Sequence, residues 1–232
     1  EYSRYACIET LRQGFLPLRG GFRLGVCGSA VVREGEVSSL KEISSLALRI
    51  VCEEVGLGSG IAPQLFDESG QFLSTLILSP PGGGKTTLLR DLIRSLSLGD
   101  SEHRAKRVAV IDERGEIAVC CKARPQMELG SHTDVLSLCP KAAGIMMVLR
   151  GMNPQLIAVD EITAAEDIRA ICLAANCGVG LLASIHAASA EELTQKPLFE
   201  ELLRARVFRR CVSIRKEGGR RTYEVGELPC CT

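Results

Sequence analysis

Ser79-Pro80-Pro81-Gly82-Gly83-Gly84-Lys85-Thr86-Thr87 decides how this chain is read. It follows a strand expected at Leu73 to Leu78 and precedes a helical pattern from about Thr86 to Leu98. A strand, a glycine loop and a helix in that order bring backbone N–H groups and a helix N-terminus to one point, where they can hold phosphate oxygens. The expected nucleotide-binding residues are Pro81, Gly82, Gly83, Gly84, Lys85, Thr86 and Thr87. The glycines let the backbone approach, Lys85 reaches the β and γ phosphates, and the Thr86 hydroxyl ligates Mg²⁺. Ser79 stands where the pattern G-x-x-x-x-G-K-[ST] has its first glycine. The plain alternative is a glycine-rich turn ahead of an ordinary helix.

Outward from the loop the chain repeats strand, loop and helix. Strands are expected at Val108 to Ile111, Leu156 to Val159 and Leu181 to Ile185, with helices at Ala142 to Arg150 and Glu166 to Cys177. These strands are near-continuous apolar runs, as strands buried on both faces are, so the fold class is α/β with a mostly parallel sheet. Val207 to Ile214 and Arg221 to Val225 flank Gly218-Gly219 and predict a closing hairpin. Before the core, residues 1–70 read as a small N-terminal α/β domain with its linker, and residues 71–232 as the nucleotide-binding core. In the small domain a helical start, short strands at Phe22 to Val26 and Ala30 to Val32, and a helix carrying Ile43, Leu46, Ala47, Ile50 and Val51 are expected. Gly56 to Gly70 reads as the linker.

Two strands end in acids. Leu156-Ile157-Ala158-Val159-Asp160-Glu161 places Asp160 at the carboxyl end of a buried strand, where ligands sit in open α/β sheets. Asp160 would hold Mg²⁺ through its water shell, and Glu161 would orient or deprotonate an attacking water. Val108-Ala109-Val110-Ile111-Asp112-Glu113-Arg114 is the second, with Glu113 a rival base and a solvated Glu–Arg turn the bland reading. His186 follows the strand Leu181 to Ile185 directly and reads as a γ-phosphate sensor or as a structural histidine. Arg114, Arg124 and Arg150 are candidates for a charge supplied across a subunit interface, and each serves equally well as a solvated arginine.

The chain has 232 residues, 46% hydrophobic and 24% charged, enough for a core and for a solvated surface. Lys plus Arg and Asp plus Glu number 28 each, so no net field draws it to nucleic acid or to an anionic membrane. No apolar run approaches the roughly eighteen residues of a membrane span, and no cleavable leader is legible, so membrane work would be peripheral or through a partner. The chain begins at Glu1 rather than Met, and sequence upstream is expected to lie outside it. Eleven cysteines, odd in number and without a C-x-x-C pair, read as reduced, mostly buried thiols of a cytosolic protein.

The order of the phosphate loop, Ile111-Asp112-Glu113-Arg114, Asn153-Pro154-Gln155 leading to Val159-Asp160-Glu161-Ile162, and Ser184-Ile185-His186-Ala187-Ala188-Ser189 resembles the ATPases of type II and type IV secretion systems. It resembles most the stage III sporulation protein AA branch, through Gly20-Gly21-Phe22-Arg23-Leu24-Gly25 and Ile43-Ser44-Ser45-Leu46-Ala47-Leu48-Arg49 as well. Thr163-Ala164 departs from the Arg-Asp that many secretion ATPases carry there. The resemblance implies a RecA-like P-loop ATPase using ATP and Mg²⁺, assembled as a homo-oligomeric ring, with a hexamer favoured. It also implies channel membrane proteins as partners and a place on the mother-cell side of the forespore outer membrane, held there through those partners.

Two other readings stand beside it. One is a nucleotide-binding scaffold without turnover, motivated by Ser79. The other is a nucleic-acid remodeller, supported by the Arg-rich terminal hairpin and opposed by 4% aromatic residues with no Trp.

Overall fold

The computed structural model describes residues 11–12, 14–18, 20, 22–50 and 53–228. The chain divides into two compact units, Glu1–Glu53 with Val119–Met127, and Glu54–Ala118 with Glu128–Thr232. The division falls earlier than the boundary expected near residue 70.

The smaller unit is an antiparallel meander of β1 (Phe15–Pro17), β2 (Arg23–Arg33) and β3 (Glu36–Arg49). Glu34 and Gly35, with φ of 52° and 84°, make the two-residue turn between β2 and β3, whose positive φ values match the twist of the flanking strands. This corrects the helix expected around Ile43, Leu46 and Ala47, which lie in β3 with Leu46 opposite Val26. Their spacing satisfies a helical period, but a hairpin partner rich in β-branched residues outweighs it. Ile50 lies just past the strand, while Val51 and Cys52 fall outside the described residues. The two short strands expected at residues 22–32 are one: Gly28 sits at a register shift within β2, where a Cβ would lie 2.7 Å from the Lys41 carbonyl oxygen. Most of the expected helical start also lies outside the described residues, of which Leu11 and Arg12 are helical.

The larger unit opens with a packed segment where a linker was expected. Ile61, Ala62, Leu65 and Phe66 are buried around a short 3-10 turn, Ala62–Leu65. The buried Asp91 carboxylate accepts the N–H groups of Gly56 (3.1 Å) and Gly58 (2.6 Å), so these glycines mark close backbone approach rather than a free tether. Next come β4 (Thr75–Ser79), α1 (Lys85–Leu98), β5 (Val108–Asp112), β6 (Thr133–Ser137), α2 (Lys141–Gly151), β7 (Leu156–Glu161), α3 (Ala165–Asn176) and β8 (Gly180–His186). Short helices α4 (Ala190–Thr194) and α5 (Glu200–Arg204) lead to the hairpin β9 (Arg210–Glu217) and β10 (Arg220–Glu227). The seven strands lie in the order β10-β9-β4-β8-β7-β5-β6, parallel throughout except for β9 against β10.

Every residue of β4 and β5 is buried, as a sheet covered on both faces requires. Strand β6 escaped the sequence reading because Thr133-Asp134-Val135-Leu136-Ser137 is a polar edge strand with no clean period. Among the described residues no helix is long and apolar enough to cross a membrane. Of the eleven cysteines, none of the seven described is in a disulfide, and Cys211 alone among these is buried, which corrects the expectation of mostly buried thiols. The pair Cys230-Cys231 lies outside the described residues.

Candidate functional site

Strand order places the carboxyl ends of β4, β8, β7 and β5 side by side, so Ser79, His186, Asp160, Glu161 and Asp112 share one edge of the sheet. Ser79 and His186 are direct cross-strand partners. The chain leaves β4 through Pro80 to Gly84 and enters α1 at Lys85. Gly84, at φ 105°, is the N-cap; it gives no side-chain cap bond, and the first turn of α1 carries no acid. The positive end of the helix therefore faces the loop with no acid of its own first turn to offset it. Ser79 is not among the residues with positive φ, so the first loop position requires no glycine here.

Lys85 is 6% exposed, and its Nζ donates to the carbonyl oxygens of Ser79 (2.9 Å) and Pro80 (3.2 Å). It also lies 2.5 Å from His186 Nδ1. Burial pulls the Lys85 ammonium below its usual range, with the Glu161 and Asp160 charges opposing. If the ammonium donates to Nδ1, the other ring nitrogen is the donor, and Nε2 lies 2.8 Å from Glu161 Oε2. Arg114 reaches the same oxygen at 3.6 Å. Lys85, His186, Glu161 and Arg114 thus form one row assembled from four separate stretches of chain.

Asp160 is 5% exposed and falls at a register shift in β7, between Val159 and Glu161. Burial pushes its carboxyl up; a backbone hydrogen bond at Glu161 opposes, the Glu116 and Asp112 charges add to the rise, and Lys141 opposes. A desolvated carboxylate crowded by two others suits a cation. Among the described residues no group of three or more His, Cys, Asp or Glu stands ready to hold a metal. A cation here would be shared between Asp160, the Thr86 hydroxyl and the oxygens of a bound substrate, the donor set of a phosphate-bound Mg²⁺. The residues fit that ion.

The second acidic strand end is committed elsewhere. Asp112 is fully buried and accepts the N–H groups of Glu116 (2.8 Å), Ile117 (3.1 Å) and Ala118 (2.9 Å). Glu113 pairs with Lys141, whose side chain is 3% exposed. The structure brings Lys85, Glu161 and His186 together and gives Glu113 a different partner. Sequence reading did not anticipate Lys141, nor Arg221 of β10, which packs against Gly84. Neither carries a local signal, since each reaches the site only through the fold.

A family model described as Sporulation stage III, protein AA matches residues 1–225. Stage III sporulation protein AA of Bacillus subtilis (strain 168) is 38% identical over 218 residues, which cover 94% of this chain and 70% of that protein. The uncharacterized protein ycf45 of Cyanidium caldarium is 29% identical over 165 residues, 69% of this chain and 46% of its own length. Among solved structures, the ATPase DotB of Legionella pneumophila is similar with a TM-score of 0.59 at 21% identity, covering 94% of this chain. The pilus retraction motor PilT, solved with bound ADP, is similar with a TM-score of 0.61 at 19% identity, covering all of this chain and 68% of that one. The chain spans 64% of the DotB chain. At such identities the likeness is one of fold: a RecA-like core sheet with a small N-terminal antiparallel sheet.

Proposed function

This chain belongs to the Sporulation stage III, protein AA family, and we propose that it binds ATP with Mg²⁺ at the loop Pro81 to Thr87 and hydrolyses it. The observation that carries the reading is the row Lys85–His186–Glu161 beside an uncapped helix N-terminus. The Lys85 ammonium is directed at two loop carbonyls and at His186. A γ-phosphate is a far stronger partner for an ammonium than a carbonyl. Lys85 would turn to it, freeing Nδ1 of His186, and the imidazole would report that change to Glu161 through Nε2. That is how His186 would act as a sensor.

Glu161 is the proposed base. It accepts a proton from the attacking water as the bond between the γ-phosphorus and the bridging oxygen breaks and ADP leaves with phosphate. Glu113 is the second choice because its carboxylate is already paired with Lys141. Thr86 and Asp160 would hold Mg²⁺, which would supply positive charge to the phosphate oxygens. In the cell the family's name and the resemblance of the site to secretion ATPases support a motor or assembly factor. It would work as a homo-oligomeric ring, a hexamer favoured, on the mother-cell side with the membrane proteins of a channel complex built during endospore formation.

The test is phosphate release from Mg-ATP, measured beside ATP binding, for the wild type, Lys85→Ala and Glu161→Gln. Release is expected to vanish in both variants, and binding only in Lys85→Ala. Release that survives Glu161→Gln moves the base to Glu113. A wild type that binds ATP through Lys85 and releases no phosphate is a nucleotide-gated scaffold.

A further inference from the structure

The terminal hairpin concentrates cations, and two of them are occupied across it: Arg210 pairs with Glu227 at 3.4 Å and Arg215 with Glu224 at 3.1 Å. Arg221 points elsewhere. Its Nε, Cζ and Cδ lie 3.0, 3.3 and 3.4 Å from the position a Cβ would take on Gly84, so the guanidinium packs directly on the phosphate loop. Its carboxylate contact, Glu54 Oε1, is 3.5 Å from a guanidinium nitrogen, longer than a charge-assisted hydrogen bond, and both side chains are partly open to solvent. Ion pairs of that kind hold a side chain weakly. Tyr223 belongs to the same group: burial raises its phenol, the Arg221 charge draws it back, and Glu54 adds to the rise.

Gly84 is the uncapped N-cap of α1, so a guanidinium there faces the positive end of a helix dipole, with Lys85 adjoining. Two cations and a helix N-terminus around one loop make sense when an anion lies between them. The planar guanidinium fork suits two oxygens of a phosphate chain in a way a lysine does not.

We propose that Arg221 is a phosphate-binding arginine supplied to the loop by the same chain, exchanging Glu54 for the α- and β-phosphate oxygens of a bound nucleoside di- or triphosphate. This rests on the nucleotide-binding reading above. Lys85 serves the β and γ phosphates, whereas Arg221, seated at Gly84, serves the part that di- and triphosphates share. That separates it from an arginine that senses the γ-phosphate from a neighbouring subunit. Glu54 holds the guanidinium while the loop is empty and competes with the nucleotide for it.

The experiment is equilibrium binding of Mg-ADP and of Mg-ATP to the wild type, Arg221→Gln, Arg221→Lys, Glu54→Gln and Lys85→Ala, with thermal unfolding of each nucleotide-free protein as the folding control. Arg221→Gln is expected to weaken both nucleotides alike, by roughly ten-fold. Arg221→Lys recovers part of the loss, because charge returns without the fork. Glu54→Gln tightens both by about two- to five-fold, the scale of a weak exposed ion pair. An arginine that merely packed on the loop would not make the two substitutions act in opposite directions, and the Glu54→Gln result decides even if Arg221→Gln fails to fold. Unchanged affinity in Arg221→Gln together with Glu54→Gln overturns the proposal, and so does a loss confined to ATP. A wild type without Lys85-dependent binding overturns the nucleotide-site reading itself, and the role of Arg221 with it.

Discussion

A Cβ built on Gly83 would overlap the Ser79 Oγ and stand 3.0 Å from the Ser79 Cβ and 3.2 Å from the Pro80 carbonyl oxygen. Ser79 and Gly83 are therefore a matched pair: the hydroxyl, which donates to the Pro80 carbonyl at 3.1 Å, fills the space that a hydrogen at position 83 leaves open. Because Ser79 keeps an ordinary φ, replacing a motif glycine by serine does not strain this loop. Gly83→Ala is expected to lower stability by about 1–3 kcal/mol, the usual cost of overpacking, and to weaken nucleotide binding. Adding Ser79→Gly should restore part of both losses. A urea-unfolding double-mutant cycle checks this, and strictly additive effects would mean that Ser79 is not what the new methyl meets.

At the scale of elements, the two acidic strand ends do different work. β7 ends in Asp160 and Glu161 at a register shift, with Glu161 bonded to His186 of the neighbouring β8. β5 ends in Asp112, whose carboxylate ties Glu116, Ile117 and Ala118 back to the sheet. Asp112→Ala would leave the buried N–H groups of Ile117 and Ala118 without an acceptor. At roughly 1–3 kcal/mol for each such donor, the expected loss is about 3 kcal/mol or more. Asp112→Asn keeps one acceptor oxygen and should lose less. Denaturant midpoints for the two variants test the order, and an Asp112→Ala protein as stable as the wild type would remove the tether. The sequence presents both strand ends as an apolar run followed by two acids. Which of them joins Lys85 and His186 depends on the loop that follows and on the neighbouring strand, and neither is local to the run.

For the whole molecule, the proposed ring makes a prediction of its own. Phosphate release per chain should rise with protein concentration, and Mg-ATP should shift the mass in solution toward an oligomer. A rate per chain that stays constant over the range, with a monomeric mass, removes the ring from the proposal. The sequence alone determined the parallel α/β core, the glycine loop between β4 and α1, the acidic end of β7 and the place of His186. Each is written as a contiguous apolar run with a polar residue or glycine loop at its end, and burial on both faces favours a strand for such a run. Only the tertiary structure decided the rest. β3 is a strand because its pairing with β2 outweighed a helical spacing on a mostly exposed segment. The stretch Gly56 to Gly70 is anchored because the buried Asp91 accepts the N–H groups of Gly56 and Gly58 and because Ile61, Ala62, Leu65 and Phe66 are buried. Lys141 reaches Glu113, and Arg221 reaches the loop, across spans that no local pattern encodes. Local periodicity governs elements whose burial is complete, whereas half-exposed strands and long-range ion pairs take their partners from the way the sheet is wound.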